Sequence, residues 1–191
     1  GSASNQALFA KALDAATGNR KAQAITFFNE LLTADPKDYI AWTELGTVYF
    51  KHDDLDNAEA CYFKAIELKR DYFMALLNLG KLYFGRKQFD DSVLVLTNAV
   101  KARPDSPDAH IFLAEAYLQT KKGNSAVYHY NEALKLAPIE KAEVHLRLAS
   151  LYDAAGLKNK ASAEYKLFLN KQPGYAEKER LERYIKENPP K

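Results

Sequence analysis

The sequence predicts an all-α fold of about five helical hairpins that stack into a solenoid and end in a capping helix. A tyrosine recurs at intervals of 34, 34 and 35 residues, at Tyr49, Tyr83, Tyr117 and Tyr152, and a leucine followed by glycine or alanine precedes each of them. A repeat of this length is a supersecondary unit that cannot bury its own apolar face and must pack on its neighbours. The period therefore predicts an array of hairpins rather than one globular core.

A second pattern predicts that each unit contains a second helix. Ala58, Tyr62 and Ala65 are spaced i, i+4 and i+7, which places them on one helical face. The equivalent triplets in later units are Ser92, Leu96 and Ala99, then Ala126, Tyr130 and Ala133, then Ala161, Tyr165 and Phe168. A proline lacks an N–H and ends a helix. Four units accordingly close with a proline, at Pro36, Pro104, Pro138 and Pro173.

The run Trp42-x-x-Leu45-Gly46-x-x-Tyr49, followed by the triplet at Ala58, resembles the tetratricopeptide repeat (TPR). This resemblance covers nearly the whole chain and implies a right-handed α-solenoid. The first unit matches less well, since Lys11 and Ala15 stand where other units have leucine and tyrosine. The expected units are 5–38, 39–72, 73–106, 107–140 and 142–175, with one residue inserted between Pro138 and Ala142.

Both ends of the chain depart from the repeat. Residues 176–187 predict one charged helix with Leu181, Tyr184 and Ile185 on a single stripe, as expected of a helix that caps the last hairpin. Residues 1–4 resemble a vector remnant followed by a short tail, and residues 188–191 are expected to fray.

Small residues recur where the two helices of a hairpin should approach closely. Gly46 and Gly80 occupy this place in the first helices, and Ala126 is one of the small residues opposite them. A larger side chain at Gly80 or Ala126 should overpack the contact and cost roughly 1–3 kcal/mol of stability.

The composition argues against several partners. With 27 basic and 25 acidic residues, the net charge of +2 predicts no general attraction to nucleic acid or to an anionic membrane. No apolar stretch is long enough for membrane insertion. The single cysteine, Cys61, excludes an intramolecular disulfide. A soluble protein is expected; its compartment is left open, with the cytoplasm slightly favoured over the periplasm or secretion.

No motif predicts an enzyme, a cofactor or a metal site. Cys61 has no sequence neighbour that would activate it, so ordinary packing is expected. His110 and His145 occupy equivalent places in adjacent units and are expected to face each other as stacked, partly buried histidines. A zinc site would need three or four donors. The aspartates at 53, 54 and 56 lack the glycine and glutamate of a calcium loop, and Asp54 or Asp56 is expected to cap a helix.

In the resembled family the first helices of successive units line a concave groove, which implies a set of ligand contacts. Transferred by register, these places hold Thr43, Glu44, Thr47, Phe50, Met74, Leu77, Asn78, Lys81, Phe84, Ile111, Phe112, Glu115, Leu118 and Arg147. The same register adds Asp108, Glu143, Leu146, Ser150 and Asp153, and in the first unit Phe9 and Leu13.

Three of these residues are the preferred ligand contacts. Leu77, Ile111 and Phe112 should be exposed, because other leucines already occupy the inward face of the same helices. A second set has two interpretations. Phe50, Phe84 and Leu118 either contact a ligand or fill the space between adjacent first helices.

The implied function is a scaffold or adaptor that binds an apolar or amphipathic peptide or helix of another protein, with a basic end favoured. A subset of the family clamps a C-terminal carboxylate with lysine, asparagine and arginine in three consecutive units. This chain offers Asn78, Lys81 and Arg147 but lacks the complete set, because other residues stand where the remaining donors are expected, at Thr43, Thr47, Leu77, Phe112 and Glu143. An anionic ligand is therefore disfavoured. The alternatives are a spacer that self-associates, weakly, through its end units or capping helix, and the targeting portion of a larger protein.

Overall fold

The computed structural model describes residues 3–190, and within that range all regular structure is helical. The eleven helices found there are α1 (Ala3–Thr17), α2 (Lys21–Ala34), α3 (Tyr39–Lys51), α4 (Leu55–Leu68), α5 (Phe73–Gly85), α6 (Phe89–Ala102), α7 (Pro107–Gln119), α8 (Gly123–Leu136), α9 (Val144–Ala154), α10 (Lys158–Lys171) and α11 (Lys178–Glu187). The predicted all-α class is therefore confirmed. Of the predicted tails, Gly1, Ser2 and Lys191 lie outside the described residues, whereas α1 already includes Ala3 and Ser4.

The helices group into two compact units that meet in sequence between Pro104 and Asp105. Each compact unit contains several repeats, and from here on the first and second unit refer to these two groups of helices. The first contains the hairpins α1/α2, α3/α4 and α5/α6, and each hairpin packs on the next through its second helix. The first helices α1, α3 and α5 also pack in series. The second unit contains the hairpins α7/α8 and α9/α10, followed by α11.

A residue with positive φ reverses the chain inside every hairpin, at the same place in each repeat. These residues are Asn19, Asp53, Lys87, Lys121 and Gly156, with φ between 56° and 73°. After each of them a backbone N–H donates to the carbonyl of the residue five positions earlier, as in the 3.0 Å bond from Asp54 to Tyr49. This six-residue closure is the Schellman arrangement, which satisfies carbonyls at a helix end.

The hairpins are as closely packed as the small residues predict. A β-carbon at Gly46 would lie 2.8 Å from a ring carbon of Tyr62, and one at Gly80 would lie 2.5 Å from Leu96. Ala126, on the opposite helix of its hairpin, is fully buried. Glycine is therefore required at Gly46 and Gly80 for lack of space, because neither has a positive φ.

Helix α11 covers the apolar face of the last hairpin. Leu181 is 2% exposed and packs in a cluster with Phe168, Leu169 and Ala142. The Tyr184 hydroxyl donates a hydrogen bond to Asp153 of α9. Leu181 and Tyr184 of the capping helix, which was considered above for self-association, thus make contacts within the chain.

Candidate peptide-binding faces

A hydrogen-bonded ladder runs across the first helices of the first unit. The Asn78 amide of α5 lies 3.3 Å from the Thr47 hydroxyl of α3, and that hydroxyl lies 3.3 Å from the Tyr62 hydroxyl of α4. The Thr47 hydroxyl also donates to the carbonyl of Thr43, at 3.0 Å. The ladder fixes the orientation of Thr47 and Asn78, two of the predicted contact residues.

The structure corrects the prediction that Leu77 is an exposed ligand contact. It is only 5% exposed, so it offers almost no surface to a ligand. Thr43, at the same register position one repeat earlier, is 1% exposed. At both residues the side chain is therefore buried, whereas Ile111, one repeat later, is only partly buried, a difference that the sequence register alone does not reveal.

Phe50 and Phe84 are both partly buried, as one of the two interpretations expects. Phe50 packs against the core cluster that contains Leu79 and Leu82. Phe84 makes an edge contact with Phe89 of α6, with ring centroids 5.4 Å apart. Their main contacts are internal, which favours the space-filling interpretation in the first unit. Met74 remains 38% exposed and is the more accessible apolar contact residue of α5.

Glu44 and Lys81 bring charge to the same helices, and both are partly buried. Burial raises the pKa of the Glu44 carboxyl, and the nearby Lys51 ammonium opposes part of that effect.

The second unit holds its own set of the predicted contact residues on α7 and α9. Ile111 and Leu118 are partly buried and pack against the cluster around Leu148. Phe112 is also partly buried. On the charged part of this set, the Arg147 guanidinium is 3.4 Å from the Glu115 carboxylate, with 65% of the arginine side chain exposed.

Two family models match this chain, and both describe the tetratricopeptide repeat. One covers residues 39–72 and the other residues 77–138, so half of the chain is matched. The chain belongs to the tetratricopeptide repeat family. The expected resemblance is thereby confirmed.

Solved structures of other TPR proteins share the fold at low sequence identity. MamA residues 41 to the end from Desulfovibrio magneticus is 17% identical, with a TM-score of 0.80 over 92% of this chain and 98% of that one. Pseudomonas aeruginosa PilF is 22% identical, with a TM-score of 0.79 over 95% and 83% of the two chains. A thermophilic TPR protein of Thermus thermophilus is 20% identical, with a TM-score of 0.63 over 95% and 98%. A search of curated proteins gave no match.

The two histidines of the TPR first helices do not face each other. The His110 Nδ1 atom of α7 lies 2.9 Å from the Nδ1 atom of His129 on α8. The His145 Nδ1 atom of α9 lies 2.6 Å from the Glu164 carboxylate of α10. Each histidine thus pairs with the residue 19 positions later, because this register position points at the second helix of its own hairpin. Both are buried, as expected, but with other partners.

The His110–His129 pair predicts acid sensitivity. Burial lowers the pKa of His129 to about 4, the neighbouring His110 contributes to the lowering, and Glu132 opposes it. The unfolded chain, with a pKa near 6.5, binds this proton first as the pH falls, so stability is lost between about pH 6.5 and 4. Because the imidazole is only half buried, we expect a loss of about 1–2 kcal/mol rather than the full effect of the shift.

Urea denaturation at pH 7 and pH 4.5 measures this effect. We expect the loss on acidification to be smaller in His129→Gln than in the wild type, whereas His52→Gln, in the turn after α3, should behave like the wild type. Comparing variants removes the contribution of other groups such as Glu44. Equal acid losses in wild type and His129→Gln would contradict the assignment.

Cys61 and Asp54, the other candidates from the sequence, have local structural contacts. Burial and the nearby Asp54 raise the pKa of the Cys61 thiol to about 12, so the thiol is protonated and unreactive. Asp54 stands at the N-cap of α4, although its carboxylate accepts from the Asn57 side chain rather than from the backbone. Within residues 3–190 no group of three or more histidine, cysteine or acidic side chains is placed to hold a metal ion. No helix in the same range is long and apolar enough to cross a membrane.

One ionic network was missed by the sequence analysis. Arg86, at the end of α5, forms 2.5 Å ion pairs with Asp56 and Glu59 of α4. Glu59 also accepts a 2.8 Å hydrogen bond from the Tyr83 hydroxyl. The network links two successive TPRs. The bonded pairs lie 24 to 30 residues apart in sequence, outside the range in which a helical pattern predicts contacts.

Proposed function

We propose that this protein is a non-catalytic TPR scaffold that binds an apolar or amphipathic segment of another protein on its first helices. The observation that supports this most is the accessible apolar surface on rigid helices. Met74 is 38% exposed on α5, and Ile111 and Phe112 of α7 are only partly buried. Apolar side chains held at fixed positions are what a peptide or helix needs for docking.

Polar groups on the same helices supply directionality. Asn78 uses one amide hydrogen on Thr47, and an amide has a second hydrogen and an acceptor oxygen. These match the N–H and C=O of an extended backbone. The predicted contact positions hold more carboxylates than cations, and this excess favours a partner with a basic rather than an acidic end. The carboxylates are Glu44, Asp108, Glu115, Glu143 and Asp153, and the cations are Lys81 and Arg147.

A double variant tests the proposal directly. Met74→Ala combined with Ile111→Ala removes apolar contact on one first helix of each unit. We expect the capture of specific partners from a cell extract to fall about tenfold, because contact residues of this kind carry most of an interface's energy. Quantitative mass spectrometry of the captured proteins measures the change, and circular dichroism confirms that the variant is folded.

The matched control removes apolar side chains from second helices instead. Leu94 and Tyr128 are 65% and 59% exposed on α6 and α8, so Leu94→Ala with Tyr128→Ala deletes at least as much accessible apolar surface. Capture should be retained by this control. If both double variants capture the same proteins as the wild type, or if the control loses them instead, the first helices are not the binding surface.

A further inference from the structure

A cavity of about 360 Å³ opens in the first unit where the beginning of α1 meets the end of α2 and the start of α3. Its apolar lining is formed by Phe9, Leu31 and Ile40. Leu31 is 3% exposed and belongs to the core, whereas Ile40 is 39% exposed. The Phe9 ring is held by an edge contact with Phe28 of α2, with centroids 6.0 Å apart. Core contacts therefore hold two of the three apolar side chains, and the cavity is large enough for one bulky side chain.

The polar part of the lining consists of two amide side chains, Asn5 and Gln6, and two carboxylates, Asp35 and Asp38. One Asp38 oxygen accepts the N–H groups of Ile40 and Ala41, at 3.0 and 2.9 Å. One Asp35 oxygen accepts the N–H of Lys37, at 3.0 Å. These bonds hold each carboxylate in place and use only one of its two oxygens. Among the residues that the structure describes, neither aspartate forms an ion pair, and the cavity lining contains no lysine or arginine.

The net charge at this cavity is negative, as a comparison of the helix-dipole charges with the carboxylate charges shows. The N-termini of α1 and α3 each contribute roughly half a positive charge and the C-terminus of α2 roughly half a negative charge. Their sum is a small fraction of the two full negative charges of Asp35 and Asp38. The carboxylates dominate, so the cavity favours a cation beside its apolar lining.

We propose that this cavity binds an apolar side chain that has a cationic group next to it, such as a bulky apolar residue adjacent to a lysine or arginine in the bound segment. This inference rests on the proposed function and gives it a direction. The apolar side chain enters between Phe9 and Ile40, and the cation pairs with Asp35 and Asp38. The basic end of the bound segment then lies at the first hairpin.

A pair of small probes tests this chemistry without knowledge of the partner. Phenethylammonium carries an aromatic ring and a cation, whereas 3-phenylpropionate carries the same ring on a carboxylate. In a titration of the isotope-labelled full chain followed by NMR, we expect phenethylammonium to cause saturable shifts at the backbone amides of Gln6 and Ile40. The carboxylate probe should leave these amides unchanged.

Neutral variants then assign the effect to the two carboxylates. Asp35→Asn with Asp38→Asn keeps the oxygen acceptors that hold the backbone, because asparagine is also a good N-cap, and removes the charge. We expect the dissociation constant for phenethylammonium to rise about two- to fivefold, the range that an exposed ion pair contributes. Asp71→Asn with Asp90→Asn changes the net charge equally at two exposed sites outside the cavity, and its affinity should match the wild type.

Three results would overturn the proposal. They are the absence of saturable shifts with phenethylammonium, equal binding of both probes, and unchanged affinity in the Asp35/Asp38 variant. The titration does not involve a protein partner, so its outcome is separate from that of the capture experiment on Met74 and Ile111. A failure of the cavity and a failure of the proposed function can therefore be told apart.

Discussion

Replacement of Gly80 by leucine is expected to lower the free energy of unfolding by about 3 kcal/mol, at the upper end of typical overpacking costs. Even a β-carbon at this position would lie 2.5 Å from two side-chain carbons of Leu96, which is itself fully buried. Leu96 cannot move aside without displacing its own neighbours. The two helices of the α5/α6 hairpin would have to separate, which would expose part of the core.

Thermal melting followed by circular dichroism measures this loss, which corresponds to about 10 °C for a chain of this size. Gly85→Leu is the matched control, because Gly85 lies on the same helix and a β-carbon there would have no atom within 4 Å. Leucine favours a helix over glycine by several tenths of a kcal/mol, so this control should be neutral or slightly stabilising. A melting temperature of Gly80→Leu within a degree of the control would show that the hairpin is not packed as described.

Truncation of Leu181 to alanine is expected to cost about 2–4 kcal/mol, the usual range for a buried leucine. Leu181 is the only residue of α11 that is buried, and its neighbours in the cluster are Phe168, Leu169 and Ala142. Its loss would leave a cavity under α11 and weaken the attachment of the whole helix to the last hairpin.

Urea denaturation of Leu181→Ala compared with Leu167→Ala isolates this effect. Leu167, on α10, is 44% exposed, so its truncation should cost less than about 1 kcal/mol. A similar small cost for both variants would mean that α11 does not act as a cap. Light scattering on the same samples also tests self-association, and we expect the mass of Leu181→Ala to match that of the wild type because this side chain faces inward.

The sequence was most informative about features that recur with the repeat. The tyrosine and alanine columns predicted the hairpins, and the required small residue at Gly80 was predicted because a close helix contact leaves a trace in every unit. The geometry of the turns was harder to predict from the sequence. Lys87 and Lys121 adopt positive φ, a conformation that a lysine in the sequence does not predict. Only their equivalence to Asn19 and Gly156 reveals the pattern.

The candidate site was less predictable, because register fixes where a residue stands in its hairpin and not what the next hairpin covers. Leu77 and Met74 lie on the same helix, yet 5% of the first and 38% of the second is exposed. The prediction that the two histidines face each other was wrong for a related reason. His110 and His145 have equivalent positions, but their partners His129 and Glu164 are set by the opposite helix, where the residue type changes from one repeat to the next.

The order of helix packing has a consequence for how the protein folds. In each unit, nearly all packed helices are neighbours in sequence or separated by one helix. Short loops close at little entropic cost, and chains dominated by such local contacts reach the native state quickly. A hairpin anywhere along the array can thus serve as the nucleus on which its neighbours assemble, and no distant part of the chain has to arrive first.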